Sequence, residues 1–140
     1  MDKVRLVDPS ELHWVWDDIK PDVIACLNTE EDDVWPEDVY TAIRTGTAWL
    51  VYASDEKGYQ GMAIITEWID PYNPKVKKIH IWLCSTSSEL ITKEGLALIE
   101  NFARMRQAQK VALTSSNWAF KRWGEQRGFK VASIEISKEV

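Results

Sequence analysis

The hydrophobic pattern of this sequence changes from helical to extended spacing near residue 47 and returns to helical spacing near residue 90. Between these points lie three β-prone runs, Thr47–Ser54, Gln60–Ile69 and Lys78–Ser85, separated by the turn sequences Asp55–Gly58 and Asp70–Pro74. Runs separated in this way are expected to pair as an antiparallel meander. The third run alternates, which predicts two opposite faces: Ile79, Ile81 and Leu83 on one, and His80, Trp82 and Cys84 on the other.

A short strand and two helices are predicted before the meander. Val4–Val7 is the strand candidate, and Ser10 is the expected N-cap of a helix whose apolar residues follow a four-three-four spacing: Leu12, Trp16, Ile19, Val23 and Leu27. Pro21 interrupts that helix, so we expect a kink or two short helices there. An acidic loop, Glu30–Asp33, comes next. The second helix is predicted to begin at Pro36 and to end at Gly46, with a buried face made of Val39, Ala42 and Ile43.

Two helices and two strands are predicted after the meander. A long helix over about Thr92–Gln107 leads to a short buried strand, Val111–Thr114, through a crossover that is expected to be parallel and right-handed. A helix over Asn117–Arg127 and a last strand over Phe129–Ser137 follow. The order β-α-α-β-β-β-α-β-α-β predicts one α/β domain over residues 1–140, of the mixed α+β kind, with about six strands in a mixed sheet and helices on both faces.

Charge and the scarcity of cysteine and histidine argue against several classes of function. The chain has 140 residues and a net charge of -5, whereas nucleic acids and anionic membranes require clustered Lys and Arg. The small basic clusters are interpreted as solvated surface: Lys75, Lys77 and Lys78, and Lys121, Arg122 and Arg127. Neither a membrane span nor a secretory signal is recognised, so a cytoplasmic setting is expected. The singly placed cysteines and histidines predict neither a disulfide framework nor a metal site: Cys26, Cys84, His13 and His80.

Two local motifs resemble those of the GCN5-related N-acetyltransferases, the GNAT family. Asn117-x-x-Phe120-x-x-Trp123-x-x-x-x-Gly128-Phe129 is similar to the family's penultimate helix and following strand, and Gly95-Leu-Ala-Leu-Ile-Glu100 is similar to the start of its long helix. The predicted element order resembles the same fold over almost the whole chain. The resemblance implies a three-layer GNAT-like fold, with acetyl-CoA as cofactor and an amine as acceptor.

The sequence departs from the family's cofactor motif. In the family, a Gln/Arg-x-x-Gly-x-Gly/Ala loop before the long helix holds the pyrophosphate of acetyl-CoA with backbone N–H groups. With Gly95 as the last glycine, Leu90 takes the Gln/Arg position and Lys93 the first glycine, and Glu94 adds an anion between them. The resemblance implies cofactor contacts from Cys84, Ser85, Thr92, Lys93, Glu94, Gly95 and Asn117. Because of the departures, we expect acetyl-CoA binding to be weak or absent.

The resemblance also implies a general base near the fourth strand and a tyrosine that protonates the leaving thiolate. His80 and Glu67 are the candidate bases. The alternative for each is a strand residue without a catalytic role, namely a half-buried histidine with a satisfied hydrogen bond and an exposed carboxylate. The tyrosine position is Gly124 here, which leaves Tyr40, Tyr52 or a water as candidate proton donors.

Eight tryptophans are many for a chain of this size. They fit either a packed core or a surface that binds a ligand or a protein. Trp68, just before the Asp70–Pro74 turn, and Trp118, at a predicted helix start, are the candidates for exposed residues that face a partner.

Two functions follow from these observations. The first is a GNAT-fold protein with a degenerate acetyl-CoA site that acts by binding proteins. The phrase Pro36-Glu-Asp-Val-Tyr-x-Ala-Ile-x-Thr-Gly46 and the strand with His80-Ile-Trp82 resemble small GNAT-like proteins of tailed bacteriophages. That resemblance implies a head-assembly or internal virion protein, in the host cytoplasm or the phage particle. The second function is an active acetyl-CoA-dependent N-acetyltransferase on a small-molecule or protein amine.

Overall fold

The computed structural model describes residues 3–27, 34–114, 119–134 and 136–140. Within these ranges the elements are β1 (Lys3–Leu6), α1 (Leu12–Cys26), α2 (Pro36–Arg44), β2 (Trp49–Asp55), β3 (Gly58–Ile69), β4 (Lys77–Thr86), α3 (Glu89–Met105), β5 (Lys110–Leu113) and α4 (Ala119–Glu125), with a 3-10 turn, Pro9–Glu11, before α1. The strands form one sheet in the order β1-β2-β3-β4-β5. The mixed α+β class of the prediction is confirmed. None of the described helices is both long enough and apolar enough to cross a membrane.

Strands β1 to β4 pair antiparallel, and β4 pairs parallel with β5. The predicted meander and the parallel strand after the long helix are therefore confirmed. The parallel pairing runs from Lys78 opposite Lys110 to Ile81 opposite Leu113. Because β4 continues to Thr86, its second half extends beyond its described pairing with β5.

The sheet separates two layers of helices and two clusters of buried apolar side chains. Helices α1 and α2 cover one face, over Leu12, Ile19, Val39, Ile43, Leu50 and Ile64. Helix α3 covers the other face, over Val51, Ile65, Ile79, Ile99 and Ala103. Successive residues such as Leu50 and Val51 belong to different clusters because strand side chains point to alternate faces. Helices therefore lie on both faces, as predicted.

A β-bulge in β4 reverses the faces of its second half. Ile64 of β3 pairs with Leu83, and the next residue, Ile65, pairs with Ile81. Trp82 is therefore left as the extra residue of β4. Ile79 and Ile81 pack on the α3 side, whereas Leu83 packs on the α1 side and Cys84 on the α3 side. The prediction that Leu83 shares a face with Ile79 and Ile81 is wrong, because one inserted residue shifts the alternation.

The beginning and the middle of α1 also differ from the prediction. The Asp8 carboxylate accepts the Ser10 N–H at 2.9 Å. Asp8 rather than Ser10 therefore caps the 3-10 turn that leads into α1. Helix α1 runs unbroken through Pro21, so the division into two helices is wrong. Pro21 lies on the exposed side, where the carbonyl group that loses its helical partner can bind water, while Ile19 and Val23 stay buried.

Helix α2 agrees with its prediction: it spans Pro36–Arg44 with Val39 and Ile43 buried, and Gly46 follows with a φ of 84°. The acidic loop Glu30–Asp33 lies outside the described residues. The predicted last strand is wrong for the described tail, because residues 129–134 and 136–140 contain no strand. Ile134 and Ile136 are exposed there. A β-prone pattern forms a strand only with a hydrogen-bonded neighbour and a surface to pack on, so the sheet has five described strands rather than about six.

Candidate cofactor site

The turn between β4 and α3, where the resemblance places the cofactor pyrophosphate, is bonded by its own hydroxyl groups. Ser88 Oγ accepts the Ile91 N–H at 3.1 Å, and Thr86 Oγ1 accepts the Ser88 N–H at 3.4 Å. The Thr92 hydroxyl donates to the Ser88 carbonyl at 2.9 Å. An α-helix leaves four N–H groups at its start without helical partners, and two of these four are bonded within the turn.

Helix α3 begins at Glu89, three residues earlier than the predicted Thr92. Residues 90–95, which align with the family's glycine loop, are therefore helical. From Thr92 onward the N–H groups bond along the helix, beginning with Thr92 N–H to the Ser88 carbonyl at 3.1 Å. The signal for this start is Ser88 followed by Glu89, a cap residue and an acid in the first turn.

Glu89 places a carboxylate at the N-terminus of α3 and pairs there with Arg127. Arg127 Nη2 lies 2.5 Å from Glu89 Oε2. The guanidinium lies over the Trp123 ring, 4.4 Å from its centroid, and Nη1 donates to the Trp123 carbonyl at 2.8 Å. A helix N-terminus favours an anion, and here the chain supplies one. The prediction placed Arg127 on solvated surface, but its side chain is only 15% exposed.

Several of the predicted cofactor residues surround a small cavity between β4 and α3. Its volume is about 60 Å³, and its wall includes Cys84, Ser85, Thr92 and Gly95 among mainly apolar neighbours. Burial raises the pKa of the Cys84 thiol, which keeps it protonated near neutral pH. The Cys84 carbonyl accepts a hydrogen bond from the thiol of Cys26 on α1 at 3.3 Å.

The remaining predicted cofactor residues lie elsewhere. Lys93 is exposed and lies with Glu89 and Arg127 along a shallow groove on the outer side of α3. Glu94 is half-buried. Asn117 and the candidate surface residue Trp118 lie outside the described residues.

Glu67 forms an ion pair on the α3 side of the sheet. Its Oε2 accepts from Arg106 Nε at 2.7 Å, and the Arg106 guanidinium lies over the Trp49 ring, 4.8 Å from its centroid. The hydrogen bond from Arg106 lowers the pKa of Glu67. The side chain is 12% exposed, so the expectation of an exposed carboxylate is wrong.

His80 lies on the opposite face of the sheet from Glu67. It pairs with Thr66, the strand neighbour of Glu67, so the two side chains point to opposite sides. Its Nε2 lies 3.3 Å from Thr114 Oγ1. Burial, and to a smaller extent the Lys78 ammonium, lowers the pKa of His80, so its imidazole is neutral near pH 7 and able to accept a proton. His80 and Cys84 are four residues apart on β4, so their α-carbons are separated by roughly 13 Å.

The position of the family tyrosine is occupied by a packed glycine. A Cβ added to Gly124 would lie 3.2 Å from Phe129 Cβ, so the helix and the following segment approach closely there. Of the alternative donors, Tyr52 donates its hydroxyl to Asp18 Oδ2 at 2.8 Å. Burial, with the Asp18 hydrogen bond second, raises the pKa of Tyr52 to about 12. A hydroxyl with so high a pKa is a weak acid.

Comparison with known proteins gives the fold. No protein-family model matches the sequence, and no curated protein matches it either. The structure is similar to a predicted acetyltransferase of Clostridium acetobutylicum solved with acetyl-CoA (15% identity, 99% of this chain and 96% of that chain, TM-score 0.72). It is similar to glucosamine-6-phosphate N-acetyltransferase of Arabidopsis thaliana (17% identity, 99% of this chain and 98% of that chain, TM-score 0.70). It is also similar to ribosomal-protein-alanine N-acetyltransferase of Brucella melitensis (13% identity, 100% of this chain and 98% of that chain, TM-score 0.69). The chain therefore has the GNAT fold, as the resemblance implied.

Proposed function

We propose that this protein has a degenerate acetyl-CoA site and works by binding a protein partner. The observation that carries the proposal is the start of α3, where the Glu89 carboxylate, paired with Arg127, lies at the helix N-terminus. A pyrophosphate in that place would have to compete with the Glu89 carboxylate for the helix N-terminus and for Arg127. It would also find Lys93 and a helical backbone where the family has a glycine loop.

The number of hydrogen bonds lost to the pyrophosphate decides whether acetyl-CoA binds measurably. Each lost charge-assisted hydrogen bond costs roughly 1.5 to 3 kcal/mol, and 1.4 kcal/mol is about a factor of ten in affinity. Two such losses would raise the dissociation constant of a micromolar site to between roughly 0.1 mM and 20 mM.

The partner suggested by the sequence is a component of a bacteriophage particle. This part of the proposal is supported by the resemblance of the segment Pro36–Gly46 to small GNAT-like phage proteins. That segment contains α2 and the glycine that follows it. Exposed aromatic side chains such as Trp68 also support a role in binding a partner. A gene located beside capsid and portal genes would support the role in head assembly or inside the virion. A gene located in a metabolic operon would contradict it.

The second candidate is an active N-acetyltransferase on a small-molecule or protein amine. It is favoured by the second half of β4, which extends beyond its described pairing with β5. In this reading the neutral His80 is the better candidate base, because the Glu67 carboxylate is held by Arg106. Cofactor contacts would come from Cys84, Ser85, Thr92, Lys93, Glu94, Gly95 and Asn117.

Calorimetric titration with acetyl-CoA tests the proposal. The unmodified protein is expected to give no binding heat and no acetyl transfer to generic amines. The variant Leu90→Arg with Lys93→Gly and Glu89→Gln restores the motif and removes the competing anion, so it is expected to gain affinity. Glu37→Gln, an exposed first-turn glutamate of α2, is the matched control and should not. A dissociation constant of about 10 µM or tighter for the unmodified protein would return the conclusion to the acetyltransferase.

A further inference from the structure

The turn between β3 and β4 carries an exposed apolar and basic surface, remote from the candidate cofactor site. We define it by Trp68, Tyr72, Lys75, Val76 and Lys78 and name it the hairpin surface. Tyr72 is 95% exposed, and Trp68 and Val76 are 41% and 43% exposed. Exposed aromatic residues grouped together are typical of protein interfaces rather than of solvated turns.

The backbone of this turn is held by its own hydrogen bonds. The Asp70 carboxylate accepts the N–H groups of Tyr72 at 2.7 Å and Asn73 at 3.0 Å. The Asp70 N–H donates to the Val76 carbonyl, and the Val76 N–H to the Asn73 carbonyl, each at 2.9 Å. A turn that is ordered before binding loses little conformational entropy when a partner binds.

The turn is also tied to the connection between α3 and β5. Gln109 Nε2 donates to the Lys75 carbonyl at 3.0 Å, and Gln109 Oε1 accepts the Lys77 N–H at 2.9 Å. The position of the turn is therefore determined by the sheet as well as by its own bonds.

The charge of the hairpin surface is opposite to that of the chain. Lys78 Nζ lies 4.7 Å from the centroid of the Trp68 ring, and Lys110 is the register partner of Lys78 on β5. The nearby carboxylates are engaged elsewhere, Asp70 with the turn backbone and Glu67 with Arg106. The ion pairs of the described residues include neither Lys75 nor Lys78. A basic patch therefore stands out on a chain with a net charge of -5.

We propose that the hairpin surface docks an acidic segment of a partner protein, with an aromatic or aliphatic side chain against Trp68 and Tyr72 and carboxylates beside Lys75 and Lys78. This inference rests on the proposed function, since it names the surface through which the protein binds. Charge complementarity favours a local acidic segment over a nucleic acid, because the acidic remainder of the chain repels an extended polyanion. Lys78 and Thr86 are eight residues apart on β4, roughly 26 Å, so the two sites can be tested separately.

The probe is a short fluorescein-labelled peptide of alternating Glu and Phe, with a Gln-for-Glu peptide as its control. Fluorescence anisotropy should show binding of the Glu peptide that weakens as salt is added. Tyr72→Ser and Lys78→Glu should each weaken it by about tenfold or more. Trp14→Ala, at a 71% exposed tryptophan, and Lys57→Glu, in the exposed β2–β3 turn, are matched controls that should leave it unchanged. Circular dichroism melts check that each variant folds.

Several outcomes would overturn the docking proposal. They are equal binding of the Gln peptide, equal losses in the control variants, tighter binding of a single-stranded oligonucleotide, or self-association that Tyr72→Ser abolishes. Failure of the proposed function has a different signature: tight acetyl-CoA binding with normal peptide binding overturns the degenerate site alone. Absence of both acetyl-CoA and peptide binding overturns the docking surface alone.

Discussion

Gly61 on β3 lies so close to Ser85 on β4 that a Cβ added to the glycine would be 2.7 Å from the Ser85 carbonyl oxygen. The same Cβ would be 3.1 Å from the α-carbon of Thr86. Both contacts are with backbone atoms, so a side chain at Gly61 would displace the end of β4 from which the chain turns into α3. The close approach of these strands therefore positions the start of α3.

Gly61→Ala is expected to lower the free energy of unfolding by about 1 to 3 kcal/mol, because the added methyl group forces backbone to move. Gly95→Ala is the matched control: nothing lies within 4 Å of its added Cβ, and alanine favours the helix by roughly 0.5 to 1 kcal/mol. Urea denaturation measures both. Equal effects of the two variants would contradict the packing at Gly61.

Trp123→Ala is expected to cost about 3 kcal/mol, as for other large-to-small changes in packed sites. The Trp123 ring contacts Phe120 and Phe129, with centroids 5.9 Å and 6.2 Å away, and supports the Arg127 guanidinium. Trp14→Ala removes a tryptophan that is 71% exposed and should change stability by less than about 0.5 kcal/mol. A loss below about 1 kcal/mol in Trp123→Ala would place this ring on the surface.

Stability should fall at alkaline pH because Tyr52 stays protonated in the folded protein. Its pKa rises from 10.0 to about 12 on folding, so its contribution to stability is complete below pH 10 and decreases as the pH rises toward 12. Tyr59, bonded to Asp22 at 2.5 Å, shifts in the same direction. In denaturant melts between these pH values, Tyr52→Phe should reduce the decline, and Tyr72→Phe, at an exposed position, should not. An unchanged decline in Tyr52→Phe would contradict the assignment.

Glu67→Gln is expected to destabilise the fold by about 1 to 3 kcal/mol, since it weakens a hydrogen-bonded ion pair with Arg106 at a carboxylate that is mostly buried. The pKa of Glu67 is lowered, so its contribution is present above the ordinary value of 4.5 and is lost as the pH falls through the lowered pKa. Glu100→Gln removes an exposed pair with Arg104, 3.9 Å apart, and should cost less than about 0.5 kcal/mol. Equal losses in pH-dependent melts would argue against a structural role of Glu67.

The sequence by itself determined the elements whose signals are local. The turn Asp55–Gly58 and the β-prone runs beside it predicted the meander, and Pro36 and Gly46 predicted the ends of α2. These signals act within a few residues, through fixed backbone angles, helix-end chemistry and side-chain alternation, so a reading of the chain can detect them. The motifs around Gly95 and Phe129 added the GNAT-like arrangement of the later elements.

The tertiary structure alone decided the features that depend on contacts between distant residues. The extra residue Trp82 follows from how β4 pairs with β3. The pair of Glu89 and Arg127 joins residues 38 positions apart, and that of Glu67 and Arg106 joins residues 39 apart. The residues described after Phe129, 130–134 and 136–140, have a strand-like sequence, yet they form no strand beside β5, the last strand of the sheet. Such contacts gain their energy only when the chain has already brought the partners together, and no local pattern records which partners those will be.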